Sequence, residues 1–235
     1  MPLTYQDKQL QAIRNLEAAA ATGNGQSTIV PMLSDAGSYA ADDRLCLAAV
    51  CFLGDRLGSL IADSLASQLR AVEPHHYFYP PQSLHVTIQN LRTINTPPSF
   101  DDAHIETARQ VFERVVAAHR SFDLQLAGAL KLPTSLSICG ISDEALPELV
   151  LDLRNGLAEA GIPDDKKYNG DVIFANVTFC RYTCAPSSAF LDVAQQAAAS
   201  FSATLPVRVI DLIITNAACH PEKTRLLHRF ELQPQ

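Results

Sequence analysis

Residues 84–91 read Leu-His-Val-Thr-Ile-Gln-Asn-Leu. Leu84, Val86 and Ile88 alternate with His85, Thr87 and Gln89, and a period of two predicts a strand buried on one face. Residues i and i+2 of a strand point the same way, so His85 and Thr87 project together, away from the apolar set. A second segment of this kind spans residues 172–182, Val-Ile-Phe-Ala-Asn-Val-Thr-Phe-Cys-Arg-Tyr. There Asn176 and Thr178 share a face. Hydroxyls hold phosphate oxygens and an imidazole moves protons, so two such pairs across a cleft would surround a tetrahedral phosphate.

The segments around these two strands form a repeating pattern. Leu45 to Leu53 is a nearly unbroken apolar run of strand length, which predicts a strand covered on both faces. Leu57, Leu60, Ile61, Leu65, Leu69 and Val72 recur at separations of three or four, one buried stripe of a helix. A second stripe runs Ile105, Ala108, Val111, Phe112, Val115 and Val116. A third runs Leu146, Leu149, Val150, Leu153 and Leu157, with Gly161 and Pro163 as its stop. Between them, Phe122, Leu124 and Leu126 alternate as a strand and Leu136 to Ile141 supplies another. A helix over about residues 187–200 follows the second motif, then two long strand candidates, Leu205 to Thr215 and Arg225 to Leu232. Two similar units of sheet plus helix emerge, each holding one x-Val-Thr triplet on a polar strand face. The expected fold is α+β: bilobal and duplicated, two mainly antiparallel sheets flanked by helices with a central cleft. An alanine-rich helical stretch over 6–21 and a loop-like run to about Asp43 make residues 1–43 an N-terminal addition, and residues 44–235 one bilobal domain.

Composition narrows the function. The chain has 235 residues, 47% hydrophobic and 18% charged, enough to bury a sizeable core. A net charge of −7 lacks the broad basic surface that holds long duplex nucleic acid, so a nucleic-acid substrate is expected to be small, or only an end. The polar opening Met-Pro-Leu-Thr-Tyr-Gln-Asp-Lys-Gln-Leu and the lack of any apolar run near the roughly 20 residues of a membrane span predict a cytoplasmic protein. Cys46, Cys51, Cys139, Cys180, Cys184 and Cys219 sit mostly in apolar segments with no Cys-x-x-Cys pair and read as reduced core residues. The spacing of Cys180, Cys184 and His220 matches no familiar zinc pattern, so no metal and no cofactor is expected.

Ser-Leu-His-Val-Thr-Ile and Phe-Ala-Asn-Val-Thr-Phe-Cys-Arg-Tyr resemble the paired His-x-Thr or His-x-Ser motifs of the 2H phosphoesterases, which include bacterial RNA-ligase-like proteins and cyclic nucleotide phosphodiesterases. The resemblance extends over roughly residues 45–232, through Phe-Asp-Leu-Gln-Leu-Ala-Gly-Ala-Leu-Lys-Leu-Pro and the closing pair Val-Arg-Val-Ile-Asp-Leu-Ile-Ile-Thr-Asn and Arg-Leu-Leu-His-Arg-Phe-Glu-Leu. It implies a metal-independent phosphodiesterase acting on a 2′,3′-cyclic or 2′-5′ linked nucleotide or RNA end. His85, Thr87, Asn176 and Thr178 are the implied catalytic set, and Thr87, Thr178, Arg181 and Tyr79 the implied phosphate-binding set. The departure is Asn176, where the family has its second histidine. A carboxamide donates and accepts hydrogen bonds but exchanges no proton at neutral pH, so the alternative is a phosphate- or nucleotide-binding module with impaired chemistry.

Other readings compete at each position. A lone His-x-Thr also fits a strand histidine on a solvated face, and Asn176 an edge asparagine bonded to backbone. Arg181 lies an odd number of residues from Asn176, so a regular strand turns it away from the cleft and a strand end or bulge is needed to bring it in. The tract His75, His76, Tyr77, Phe78 and Tyr79 suits packing or base stacking. His75, His76, Tyr77, Tyr79 and His220 are also candidate proton relays. His228 reads as a core histidine, His104 and His119 as solvated. Lys166 and Lys167 after Asp164 and Asp165 read as a self-neutralising loop.

Overall fold

The computed structural model describes residues 3–22, 30–165 and 172–235. The Lys166–Lys167 loop and most of the Thr-Gly-Asn-Gly-Gln-Ser-Thr stretch fall outside them. The strands are β1 (Leu45–Phe52), β2 (Tyr77–Phe78), β3 (His85–Asn95), β4 (Phe122–Leu132), β5 (Ser135–Ile141), β6 (Ala175–Arg181), β7 (Ser202–Val207), β8 (Val209–Thr215) and β9 (Arg225–Glu231). They form a nine-stranded sheet in the order β7-β4-β5-β6-β3-β1-β8-β9, with β2 added beside β6. The two expected sheets are thus the two halves of one antiparallel sheet, and they join where Val86 of β3 pairs with Val177 of β6. The central strand β1 is covered on both faces, with Leu47, Ala48, Ala49, Val50 and Cys51 all buried.

Helices cover the sheet face opposite the motifs. α5 (Asp102–Val116) and α6 (Ala145–Glu159) pack together, α5 also against β9 and α6 against β3. Leu146, Leu149, Val150, Leu153 and Leu157 of α6 are all buried as their spacing predicts; each contributes about 1.5–3 kcal/mol by leaving water. α7 (Ser188–Ala199) serves the other half and packs on β4 and on α4 (Ser67–Val72). The helix expected over Leu57 to Val72 is interrupted: α3 (Gly54–Ile61) passes into a π turn at Ala62–Ala66 before α4. Its buried stripe is Ile61, Leu65 and Leu69, while Leu60 and Val72 face solvent.

Two further expectations are corrected. The apolar run Leu205 to Thr215 is two strands parted at Arg208: β7 pairs with β4 in one half, and β8 pairs with β1 in the other. Within β3 the register slips by one residue, so that Val50 pairs with Thr87 but Ala49 pairs with Gln89. Paired residues share a face, so the bulge turns Gln89 away from His85 and Thr87. Gln89 Nε2 instead donates to the carboxylate of Asp164.

The N-terminal segment packs on the motif side. α1 (Tyr5–Ala21) begins with a capping box in which Thr4 accepts from the Asp7 amide and Asp7 accepts from the Thr4 amide. It lies on β4 and β5, with Ile13 packed on Leu130, Cys139 and Phe174. The fully buried Gln9 donates to the Ile173 carbonyl and accepts from the Ser142 amide, tying helix to sheet. The short α2 (Ala36–Ala41) buries Tyr39 completely, and its hydroxyl donates to the Tyr182 carbonyl at 2.6 Å. No helix among the described residues is long and apolar enough to cross a membrane.

Candidate active site

Because β3 and β6 run antiparallel with Val86 opposite Val177, stepping one residue each way sets His85 beside Thr178 and Thr87 beside Asn176. Val86 and Val177 are fully buried on the helix side, and the four polar side chains face the other way. They line a cavity of about 440 Å³ with Tyr79, Ser135, Arg181, Thr215 and Cys219. Leu16 of α1 and Val30 also line it, so the N-terminal segment contributes to its rim. A larger groove of about 720 Å³ past Arg120, Asp123, Glu148 and Asp152 contains none of these residues.

Gly58 of α3 helps to place His85. A Cβ on that residue would stand 2.6 Å from the Pro81 carbonyl oxygen, so only glycine lets the helix lie against the 3-10 turn Pro81–Ser83. That turn aims the Ser83 carbonyl at His85 Nδ1, 2.7 Å away. Nδ1 therefore carries a proton for this bond, and Nε2 is the nitrogen left for chemistry. Burial alone would push the imidazole down. The Cys219 thiol beside it and the Ser83 carbonyl outweigh burial and the opposing charge of Arg181, so the pKa of His85 is raised.

Asn176 Nδ2 donates to Ser137 Oγ at 3.2 Å and to Thr178 Oγ1 at 3.3 Å, and these two hydroxyls lie 3.0 Å apart. The carboxamide is thus held by a hydroxyl pair on neighbouring strands. Arg181 reaches the same face through a bulge. Ser137 pairs with Thr178 but Leu136 with Cys180, which leaves Phe179 as the extra residue and returns Arg181 to the cleft side opposite Ser135. Arg181 Nε donates to Tyr79 Oη at 2.7 Å, and Tyr79 Oη in turn donates to the Ala217 carbonyl at 3.2 Å. Tyr79 thus spends its hydroxyl holding Arg181. Arg181 Nη1 is buried and has no hydrogen-bond partner among the described residues. An unpaired guanidinium nitrogen inside a cleft is a ready donor to an anion.

Two site residues were not singled out by the sequence. Ser137 sits mid-strand in an apolar run, where only the register with Thr178 reveals it. Cys219 reads as one more core cysteine, yet it lines the cavity beside His85 with a φ of 47°. A non-glycine residue in that region is uncommon and concentrates at functional sites.

The remaining candidates lie elsewhere. His76 is buried, its Nδ1 accepting from the Thr183 amide at 3.2 Å and its Nε2 donating to Glu73 at 2.8 Å. His75 lies against exposed Cys184, with Nε2 and Sγ 3.3 Å apart. Among the described residues His75, His76 and Cys184 converge within 4.8 Å, rather than Cys180, Cys184 and His220. Both His76 nitrogens are already bonded, which leaves that cluster short of a metal ligand. All six cysteines are free thiols.

Neither the comparison with protein-family models nor that with curated proteins gives a match. Solved structures do match. TT0787 of Thermus thermophilus superposes with a TM-score of 0.59 at 17% identity, over 81% of this chain and 99% of that one. A crystal structure of a phosphoesterase gives 0.53 at 15% identity, over 81% and 99%. Apo LigT of E. coli gives 0.55 at 15% identity, over 82% and 99%. At such identities the likeness speaks to architecture alone: the chain has the fold of these proteins.

Proposed function

We propose that the protein is a phosphodiesterase that opens a 2′,3′-cyclic or 2′-5′ phosphodiester of a small nucleotide or RNA end in the cytoplasm, with no metal. The observation that carries this reading is the juxtaposition of His85 and Thr87 with Asn176 and Thr178 on one cleft face, beside a buried Arg181 nitrogen that has no hydrogen-bond partner among the described residues. Thr87, Thr178 and Arg181 would hold the phosphate oxygens, and Asn176, whose amide hydrogens go to Ser137 and Thr178, would orient those hydroxyls. His85 Nε2 would transfer the proton, since Nδ1 is bonded to Ser83. E. coli LigT, which shares the fold, has been crystallised with phosphate and with 3′-AMP. The cavity of about 440 Å³ and the net charge of −7 suit a nucleotide or a strand end better than a duplex.

A second reading has its own observation. The Asn176 amide donates to Ser137 and Thr178 and cannot shuttle a proton, so the cleft would bind phosphate without turnover. Purified protein incubated with 2′,3′-cyclic and 2′-5′ nucleotides in EDTA separates the two. The enzyme predicts turnover that falls about 10²- to 10⁴-fold in His85→Ala. Turnover untouched by that substitution would remove His85 from the mechanism. Binding by calorimetry without turnover would establish the binding module.

A further inference from the structure

The cavity that holds the two motifs does not end with them. Val86–Val177 is the one pair that joins β3 to β6 among the described residues, and beyond it the cavity is lined from both faces of the sheet. Thr87 and Asn176 line it on one face, and Gln89, Val150 and Arg154 on the other. The bulge at Ile88 therefore turns Gln89 away from Thr87 without taking it out of the cavity. Gln89 stands two residues beyond Thr87 along β3. At the rise of a strand that is about 7 Å, a separation that one ribose bridges between a phosphate and its base.

Asp164 meets Gln89 there. It follows α6 in a segment pinned beside β3. Arg92 Nη1 donates to the Pro163 carbonyl at 2.9 Å, the Asp165 amide donates to the Leu91 carbonyl at 3.4 Å, and Asp165 Oδ2 accepts from the Thr93 amide at 3.0 Å. Gln89 Nε2 donates to Asp164 Oδ2, and this bond orients the carboxamide, because a carboxylate oxygen takes the nitrogen and not the carbonyl. Gln89 Oε1 and Asp164 Oδ1 are then left buried, with no hydrogen-bond partner among the described residues. Gln89 is 2% exposed and the Asp164 side chain 3%. Burial raises the pKa of Asp164, opposed by Gln89, Arg154 and Arg92. Arg154 Nε stands 3.7 Å from Oδ2 as the countercharge. Buried acceptors without donors are costly, and two of them in one hydrogen-bonded unit facing a cavity call for a ligand that donates.

We propose that Gln89 Oε1 and Asp164 Oδ1 form a nucleobase-recognition corner that selects guanine, on the reading of the motif face as the phosphate site. Two neighbouring acceptors match two neighbouring N–H donors. Guanine carries such donors on its Watson–Crick edge, at N1 and at the 2-amino group. Adenine and cytosine present one amino donor beside a ring acceptor, and uracil one N–H between two carbonyls, so each sets an acceptor against an acceptor here. A cationic ligand fits less well, since Arg154 already supplies the positive charge. Gln89 and Asp164 hold the base and touch no reacting atom, so they determine specificity and take no part in the proton transfer.

Calorimetry on the full chain tests this with the mixed 2′(3′)-monophosphates of guanosine, inosine, adenosine and uridine, and with inorganic phosphate as the reference. Guanosine is expected to bind about ten- to hundredfold more tightly than adenosine or uridine, the discrimination that a good bidentate base contact supplies. Inosine keeps the N1 donor but lacks the 2-amino group, and should fall between. In Asp164→Asn, Gln89 holds the remaining oxygen and an amide N–H faces the base, so the ratio of guanosine to adenosine affinity should fall to near one. Each affinity is taken relative to inorganic phosphate on the same protein, so a general loosening of the fold does not imitate the change. Four equal affinities in the native protein overturn the proposal. So do inosine binding as tightly as guanosine, a preference for another base, or an unchanged ratio in folded Asp164→Asn. If that variant does not fold, the native panel decides alone. Guanosine preference in a protein that turns over no phosphodiester removes the activity and leaves the corner; turnover of the four 2′,3′-cyclic nucleotides with one kcat/KM removes the corner and leaves the activity.

Discussion

At Asn176 a carboxamide occupies the place of an imidazole, keeping hydrogen-bonding capacity while losing a proton carrier. Its neighbours Ser137 and Thr178 would accept a ring N–H as readily as the amide they accept now. Asn176→His is therefore expected to raise kcat on a 2′,3′-cyclic nucleotide, on the order of 10²-fold, the lower end of what a positioned acid or base supplies. A rate that stays level or falls means this position does not face the second reacting oxygen. The His-x-Thr and Asn-x-Thr pairs were legible because strand alternation puts i and i+2 on one face whatever the tertiary fold. Cys219 was not, since a single cysteine in a turn has neither period nor spacing, and only the fold brings it to the wall of the cavity that His85 also lines.

Elements place these residues by small irregularities. Bulges at Phe179 and Ile88 decide which side chains enter the cleft, and neither has a glycine or proline to announce it. The long helices were readable because a stripe at helical period survives any context, as in α6. The break at Arg208 was not, because apolar residues on both sides of it are buried by different halves of the sheet. Gly58 shows an element acting on the site at one remove. Glycine to alanine inside a helix ordinarily stabilises by about 1 kcal/mol. Here the new methyl meets a backbone oxygen at 2.6 Å, and overpacking of that kind costs about 1–3 kcal/mol. Gly58→Ala is thus expected to lower Tm and, by displacing the Ser83 carbonyl, to lower kcat more than it raises KM. A variant as stable and as fast as the native protein would show that the turn yields freely.

Across the whole molecule, the two halves of the sheet meet under the cleft, and a ligand held by both halves should resist their separation. Binding stabilises the folded state in proportion to RT ln(1 + [L]/Kd), about 2.7 kcal/mol at a hundredfold excess over Kd. Inorganic phosphate is expected to raise Tm in the native protein and to lose most of that shift in Arg181→Ala, whatever the substitution does to Tm without phosphate. An equal shift in both proteins would place the anion elsewhere. The bilobal plan was legible as two strand-and-helix units, each with its triplet. Their union into one sheet was not, because a single rung between Val86 and Val177 leaves no mark in either strand.

The Asn216 amide reaches from the wall of the cleft to three carbonyls in and just after α2, so the N-terminal segment is fastened to the turn that carries Cys219. Those residues behave as foundation rather than ornament. A chain trimmed to begin at residue 44 would leave that amide group without its acceptors, and the slackness would be felt first in the turn that carries Cys219 to the cavity wall.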